Sequence, residues 1–160
     1  MKPIETHYKG YHFRSRLEAR WAVFFDHIPK VEWVYEPEGY DLDGTWYLVD
    51  FLVKNQYNER AFIEIKPDTP SATEIRKCEE LLDVVDHSLY TRVFLFAGSC
   101  GFEEFDAYEW DQRGHTLWTK KRPEAMEEDW YPSDLILGEL LSCHSDDLPK
   151  AFARARSTRF

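Results

Sequence analysis

Apolar and polar positions repeat with two different periods along this chain, and the changes of period mark out its elements. "HYKGYHF" (7–13) sets aromatic residues in alternation around Gly10, which predicts a short strand or hairpin ending near Phe13. From Ser15, a good helix N-cap, the period lengthens: Leu17, Trp21, Phe24, Phe25 and Ile28 recur at helical spacing until Pro29 ends the pattern. Alternation returns in "VEWVYEPEGYDL" (31–42) and "TWYLVDFLV" (45–53). They flank the turn signal Asp43-Gly44 and predict two strands joined as a hairpin. The polar turn "NQYNER" leads into the strand "RAFIEIK" (60–66), which Pro67 stops because proline cannot extend a central ladder.

"SATE" opens a second helix whose buried stripe is Ile75, Cys78, Leu82 and Val85, and "TRVFLFAG" (91–98) is an apolar strand. Strand, helix and strand within about 40 residues predict a βαβ unit with parallel strands. Beyond it, "AYEW" and "HTLW" around "DQRG" suggest one more hairpin, and "PSDLILGELLSC" (132–143) has a helical pattern. "PKAFARARSTRF" (149–160) fits a short basic amphipathic helix or a loose tail equally well. With 160 residues and no repeat, low-complexity tract or obvious linker, the chain is expected to form a single α/β domain over 1–160, with its core at about 8–97 and an extension at 98–160 whose role the pattern does not assign.

Composition adds that a core is affordable in volume, since 43% of residues are hydrophobic and 16% aromatic. No apolar run reaches the ~18–20 residues of a membrane span, and "MKPIETHYKG" lacks the apolar stretch of a signal peptide, so a cytoplasmic location with no membrane partner is expected. Cys78, Cys100 and Cys143 are odd in number and form no CxxC pair, which argues against a disulfide scaffold and a zinc finger. The formal charge of −10 is unevenly spread. Residues 1–66 carry net −2, residues 67–149 net −12 and residues 150–160 net +4. Two local basic patches are therefore available on an acidic protein: Arg14, Arg16 and Arg20 in "FRSRLEAR", and Lys150, Arg154, Arg156 and Arg159 in the tail.

The chemistry concentrates in "AFIEIKP". With a side-chain period of two, Phe62, Glu64 and Lys66 share one face of the strand and Ala61, Ile63 and Ile65 the other. The two charges are roughly 6–7 Å apart along the strand. Asp50 is the only charged group in the apolar run "YLVDFLV". If strands 46–53 and 61–66 are antiparallel neighbours, Asp50 lies beside Glu64, and two carboxylates face one point. Such a pair repels itself unless a cation compensates, and hard oxygen donors select Mg²⁺ or Mn²⁺. The Ile65 backbone carbonyl could add a ligand, and Lys66 would hold an attacking water or offset phosphate charge. A solvated strand face is the plainer alternative for each of these charges.

"LVDFLV" followed by "FIEIKP" resembles the signature of the PD-(D/E)xK nuclease superfamily, with Val49 where that family often has proline. The segment "FRSRLEARWAVFFD" is similar to the opening helix of small phage-type and transposase-end members. The resemblance covers roughly residues 8–97. It implies a restriction-endonuclease-like mixed β-sheet flanked by helices and a Mg²⁺-dependent nuclease, endonuclease rather than exonuclease, acting on DNA. It further implies a metal site of Asp50, Glu64 and Ile65, with Lys66 beside the nucleophile and Glu18 completing the set. Glu18 also fits an S-x-x-E capping box with Ser15, as Glu74 does with Ser71.

On this reading Arg14, Arg16, Arg20, Lys150, Arg154, Arg156 and Arg159 contact phosphates, which fixes register without reading sequence. Trp46, Tyr47, Trp110 and Trp118 offer ring faces for unpaired bases, with core packing as their alternative. Two other functions fit the same residues: a non-catalytic nucleic-acid-binding subunit on the same fold, and an acidic interaction protein whose 67–149 segment mimics phosphate charge toward a protein partner.

Overall fold

The computed structural model describes residues 2–120 and 131–160. Six strands form one mixed sheet in the order β10-β9-β8-β7-β6-β3: β3 (Glu32–Tyr35), β6 (Phe51–Lys54), β7 (Arg60–Lys66), β8 (Thr91–Gly98), β9 (Phe105–Asp111) and β10 (Gly114–Trp118). β7 and β8 are parallel and every other pair is antiparallel. The parallel pair is joined by α2 (Ala72–Val84), so the βαβ unit forms as the pattern predicts. Two hairpins stand outside this sheet, β1 (Thr6–Tyr8) with β2 (Tyr11–Phe13), and β4 (Gly39–Leu42) with β5 (Thr45–Leu48). The remaining helices are α1 (Arg16–Asp26), α3 (Ser133–Leu141) and α4 (Asp147–Ser157). No helix among the described residues is long and apolar enough to cross a membrane.

Helices and hairpins cover both faces of the sheet, which explains why β7 and β8 read as nearly continuous apolar runs. On one face, Ile63 and Ile65 of β7 and Phe94 and Phe96 of β8 pack against Trp21, Phe24 and Phe25 of α1 and Phe152 of α4. The other face carries Phe62, Val93 and Leu95, packed on Cys78 and Leu81 of α2 and on Leu42 and Tyr47 of the β4–β5 hairpin. The tail is settled in favour of a helix: α4 lies along α1, with the Phe152 ring 4.4 Å from that of Phe24. The segment beyond residue 97 is built into the same sheet and core, since β9 pairs with β8 and Phe105, Ala107 and Phe152 belong to the cluster that includes Trp21.

The predicted hairpin of 31–42 with 45–53 forms, but it is interrupted midway. "TWYLVDFLV" is two strands, β5 and β6, interrupted at Val49-Asp50; β5 pairs with β4 next to the turn, and β6 pairs with β3 within the six-stranded sheet. Asp43-Gly44 forms the predicted tight turn, between β4 and β5; both residues have positive φ, 50° and 86°, as the two central residues of a type I′ turn require. Aspartate is a poor strand former, and the chain leaves the sheet at that residue. β6 starts only at Phe51, opposite Ile63, whereas β7 runs on for three further residues, Glu64, Ile65 and Lys66. A notch therefore opens at this corner of the sheet.

Candidate functional site

Asp50 occupies the notch. Continued by one residue, the β6–β7 register places it opposite Glu64, as the antiparallel pairing from sequence anticipates. Where β6 has peeled away, the amide of Ile65 lacks a ladder partner, and Asp50 Oδ2 accepts its hydrogen bond at 2.8 Å. In a strand, one residue's N–H and C=O point to the same side, so the Ile65 carbonyl also faces the notch. Glu18 approaches from the first turn of α1. The three carboxylates are all buried, Glu18 at 8% exposure, Asp50 at 2% and Glu64 at 6%.

Each carboxylate is held by named donors. Asp50 Oδ1 receives Arg14 Nη2 at 2.8 Å, and the same guanidinium reaches Glu36 at 2.9 Å. Glu64 Oε1 is 2.9 Å from the Lys66 ammonium, and Glu64 Oε2 accepts the Tyr47 hydroxyl at 2.9 Å. Glu18 Oε1 accepts the Ser15 hydroxyl at 2.9 Å, while Glu18 Oε2 accepts the Tyr35 hydroxyl. Ser15 does cap α1, its Oγ accepting the Glu18 amide at 3.1 Å. The reciprocal half of the box, carboxylate to N-cap amide, is made by Glu74 to Ser71 on α2 at 2.9 Å. On α1 the Glu18 carboxylate instead takes two hydroxyls, and one of them comes from β3.

Burial, then the charges of Glu64 and Glu18, push the Asp50 carboxyl well above the usual aspartate range, with the Ile65 amide and Arg14 pulling the other way. Burial opposes the charge on Lys66, but Glu64 and Asp50 outweigh it and its pKa goes up. The same balance holds for Arg14, where burial is outweighed by Tyr35 and Asp50. Burial, with Cys78 and Glu64 next in weight, raises Tyr47 so that it stays a neutral donor. The corner therefore combines mutually repelling carboxylates with two firmly protonated cations.

The donors suit a hard divalent cation in kind: two carboxylates in register, a backbone carbonyl on the same side and a third carboxylate behind. Among the described residues, no three His, Cys, Asp or Glu side chains are grouped closely enough to hold a metal as they stand. Arg14 and Lys66 occupy the oxygens a metal would need, and Arg14 would have to leave Asp50 Oδ1 for a cation to enter.

The predicted phosphate contacts divide. Arg14 is tied to Asp50 and Glu36 in the notch. Arg16, Arg20, Arg156 and Arg159 line one cavity between α1 and the end of α4. Arg154 lies against His27 at 3.4 Å, and neither it nor the exposed Lys150 lines that cavity. Of the four ring candidates, Trp110 is buried and Trp118 half-buried, both with their indole N–H groups on glutamates, and Trp46 is exposed. Tyr47 faces Glu64, and this role, like that of Tyr35, is absent from the sequence reading. The available signal was that a buried phenol needs a partner for its hydroxyl; which partner depends on the sheet order. Four of the acidic side chains that could mimic phosphate, Glu124, Glu127, Glu128 and Asp129, lie outside the described residues.

Compared with known proteins, the chain matches no family model, no curated protein and no solved structure.

Proposed function

We propose that this protein is a metal-dependent nuclease that hydrolyses DNA phosphodiester bonds with low or structure-based specificity, on a restriction-endonuclease-like core of the PD-(D/E)xK type. The observation that carries the reading is the notch: the chain leaves the sheet at Asp50, opposite Glu64, with Lys66 on the same strand and Glu18 behind. A solvated strand face would leave these charges in water, whereas here three carboxylates are desolvated beside one another. Buried like charges are costly and recur where a site is built to receive a cation.

Asp50, Glu64 and the Ile65 carbonyl would hold Mg²⁺, or Mn²⁺ in its place, with Glu18 beside them. When bound, the ion neutralises charge on the phosphate and makes a coordinated water more acidic. The protein's own groups do the rest. Lys66 is held protonated, so it donates to the attacking water's oxygen or to the phosphate and does not serve as the base. Tyr47 and Tyr35 each hold a carboxylate by one oxygen, which leaves its orientation fixed. Arg14 is long and half outside, and once displaced from Asp50 it can pair with a phosphate beside the scissile one.

The test is incubation of the protein with plasmid and with single-stranded oligonucleotides in Mg²⁺, Mn²⁺ or EDTA. Cleavage is expected with either ion and not with EDTA, and Asp50→Asn or Glu64→Ala should reduce it at least 100-fold, the scale for loss of a group essential to metal-assisted hydrolysis. Asparagine at 50 retains an acceptor for the Ile65 amide, so its loss of activity is not a folding effect. Undiminished cleavage in both variants would assign the reaction to another site.

A further inference from the structure

On a chain of net charge −10, one cavity of about 440 Å³ is lined by four arginines and no acidic side chain. We propose that this cleft, between the first turn of α1 and the C-terminal end of α4, binds a phosphate group of a nucleic-acid strand at a distance from the carboxylate notch. The inference rests on the nuclease reading for its choice of polymer, but the anion chemistry is that of the cleft itself.

A helix C-terminus is ordinarily a poor place for an anion, because its last carbonyls carry partial negative charge. Here Arg20 removes that objection: its Nη1 donates to the carbonyls of Ala155 at 2.7 Å and Arg156 at 3.1 Å. Thr158 caps the Arg154 carbonyl with both its amide and its hydroxyl. Arg20 is further fixed by the Phe160 ring, 5.6 Å from its guanidinium carbon. Arg156 is partly offset by Glu104 at 3.0 Å, which lines the adjoining cavity and not this one. Arg16 and Arg159 are exposed, and among the described residues neither has a carboxylate partner. Four guanidinium groups with so little local countercharge repel one another, and a phosphate accepting several of their fork-like donors relieves that repulsion.

Helix geometry relates the cleft to the notch. Arg16 and Glu18 are two residues apart on α1, hence about 3 Å along the axis and ~200° around it. The cleft and the carboxylates thus lie on opposite sides of one helical turn, with Glu18 buried and Arg16 exposed. A strand whose scissile phosphate sits in the notch can pass around the start of α1 and place a later phosphate, or its terminal one, among the arginines.

The test is fluorescence anisotropy of the whole protein in EDTA, where nothing is cut, using a short labelled single strand with a 5′-phosphate or a 5′-hydroxyl. Arg16→Ala/Arg159→Ala is compared with the charge-matched Lys30→Ala/Lys54→Ala outside the cleft. The arginine pair should weaken binding about tenfold and reduce the log–log salt slope by about 0.7, the share of one lost phosphate contact on a single strand. A preference for the 5′-phosphate strand that disappears in the arginine variant identifies a terminal phosphate as the ligand. Equal loss for both strands identifies a backbone phosphate. Unchanged affinity and slope, or equal weakening by the lysine variant, overturns the cleft. Wild-type protein that binds in this way and never cuts in Mg²⁺ sinks the nuclease reading while leaving the cleft standing.

Discussion

Glu18 has two separable jobs because its backbone and side chain are engaged independently. Its amide donates to the capping Ser15 Oγ, and its carboxylate accepts the Ser15 and Tyr35 hydroxyls beside Asp50. Glu18→Gln keeps the amide and a polar side chain of the same length but makes a much poorer metal ligand. We expect cleavage to fall at least tenfold with a melting temperature of the metal-free protein unchanged or slightly raised, because one of three mutually repelling buried carboxylates is removed. Equal activity would return Glu18 to helix capping. Tyr47→Phe tests the same idea at Glu64, since it removes only the hydroxyl that reaches Oε2. It should lower the cleavage rate about tenfold and shift its Mg²⁺ dependence to higher concentration, as loss of a ligand's own supporting hydrogen bond does.

At the scale of elements, α4 changes what a tail experiment means. Phe152 is buried against Trp21, Phe24 and Phe105, so Phe152→Ala is expected to destabilise the fold by about 3–5 kcal/mol in urea denaturation. Cutting the chain after Leu148 would remove this ring and the arginines together, and its effect on DNA binding would not report on charge alone. The same element shows what the sequence concealed. The apolar residues of α4 repeat at helical spacing, but eleven residues dense in arginine and alanine fit a helix or a tail until a partner surface is known, and that surface, α1, is over 100 residues away. Strands 60–66 and 91–98 were legible because burial on both faces leaves nearly unbroken apolar runs. The break at Val49-Asp50 was not, because no glycine or proline marks it and one aspartate in an apolar run also fits a strand with a solvated face; in the fold Tyr47, before the break, packs on the far face with Leu42 and Cys78. Asp50 and Glu64 could be paired from sequence since the register depends only on the 54–60 turn. Tyr35 and Tyr47 required the sheet order.

For the molecule as a whole, the buried acids set how stability varies with pH. Asp134 is buried, one of its oxygens has no partner among the described residues, and burial raises its carboxyl to about 6 from an ordinary 3.8. Asp50 is raised as well, by burial and then by Glu64 and Glu18. An acid whose folded pKa is raised contributes stability that is complete below the unfolded pKa and is lost as pH rises through the folded one. For Asp134 the loss therefore falls between about pH 4 and 6. Asp26 and Asp111 act in the opposite sense, because each is lowered: burial works against Asp26 but Tyr8 and Trp33 outweigh it, and Asp111 is held by Arg113 against the same burial. Urea denaturation of the metal-free protein should show Asp134→Asn more stable than wild type by about 1–2 kcal/mol at pH 7 and indistinguishable at pH 4, two pKa units being discounted for partial solvent access. Asp50→Asn should likewise gain stability at neutral pH without metal. The two part company when Mg²⁺ is added. An ion bound only by the folded state stabilises it by about 2.7 kcal/mol at 100 times its dissociation constant. Wild type and Asp134→Asn should both show that increment, whereas Asp50→Asn should not. If Asp50→Asn responds to Mg²⁺ as fully as wild type, the ion binds somewhere other than the notch.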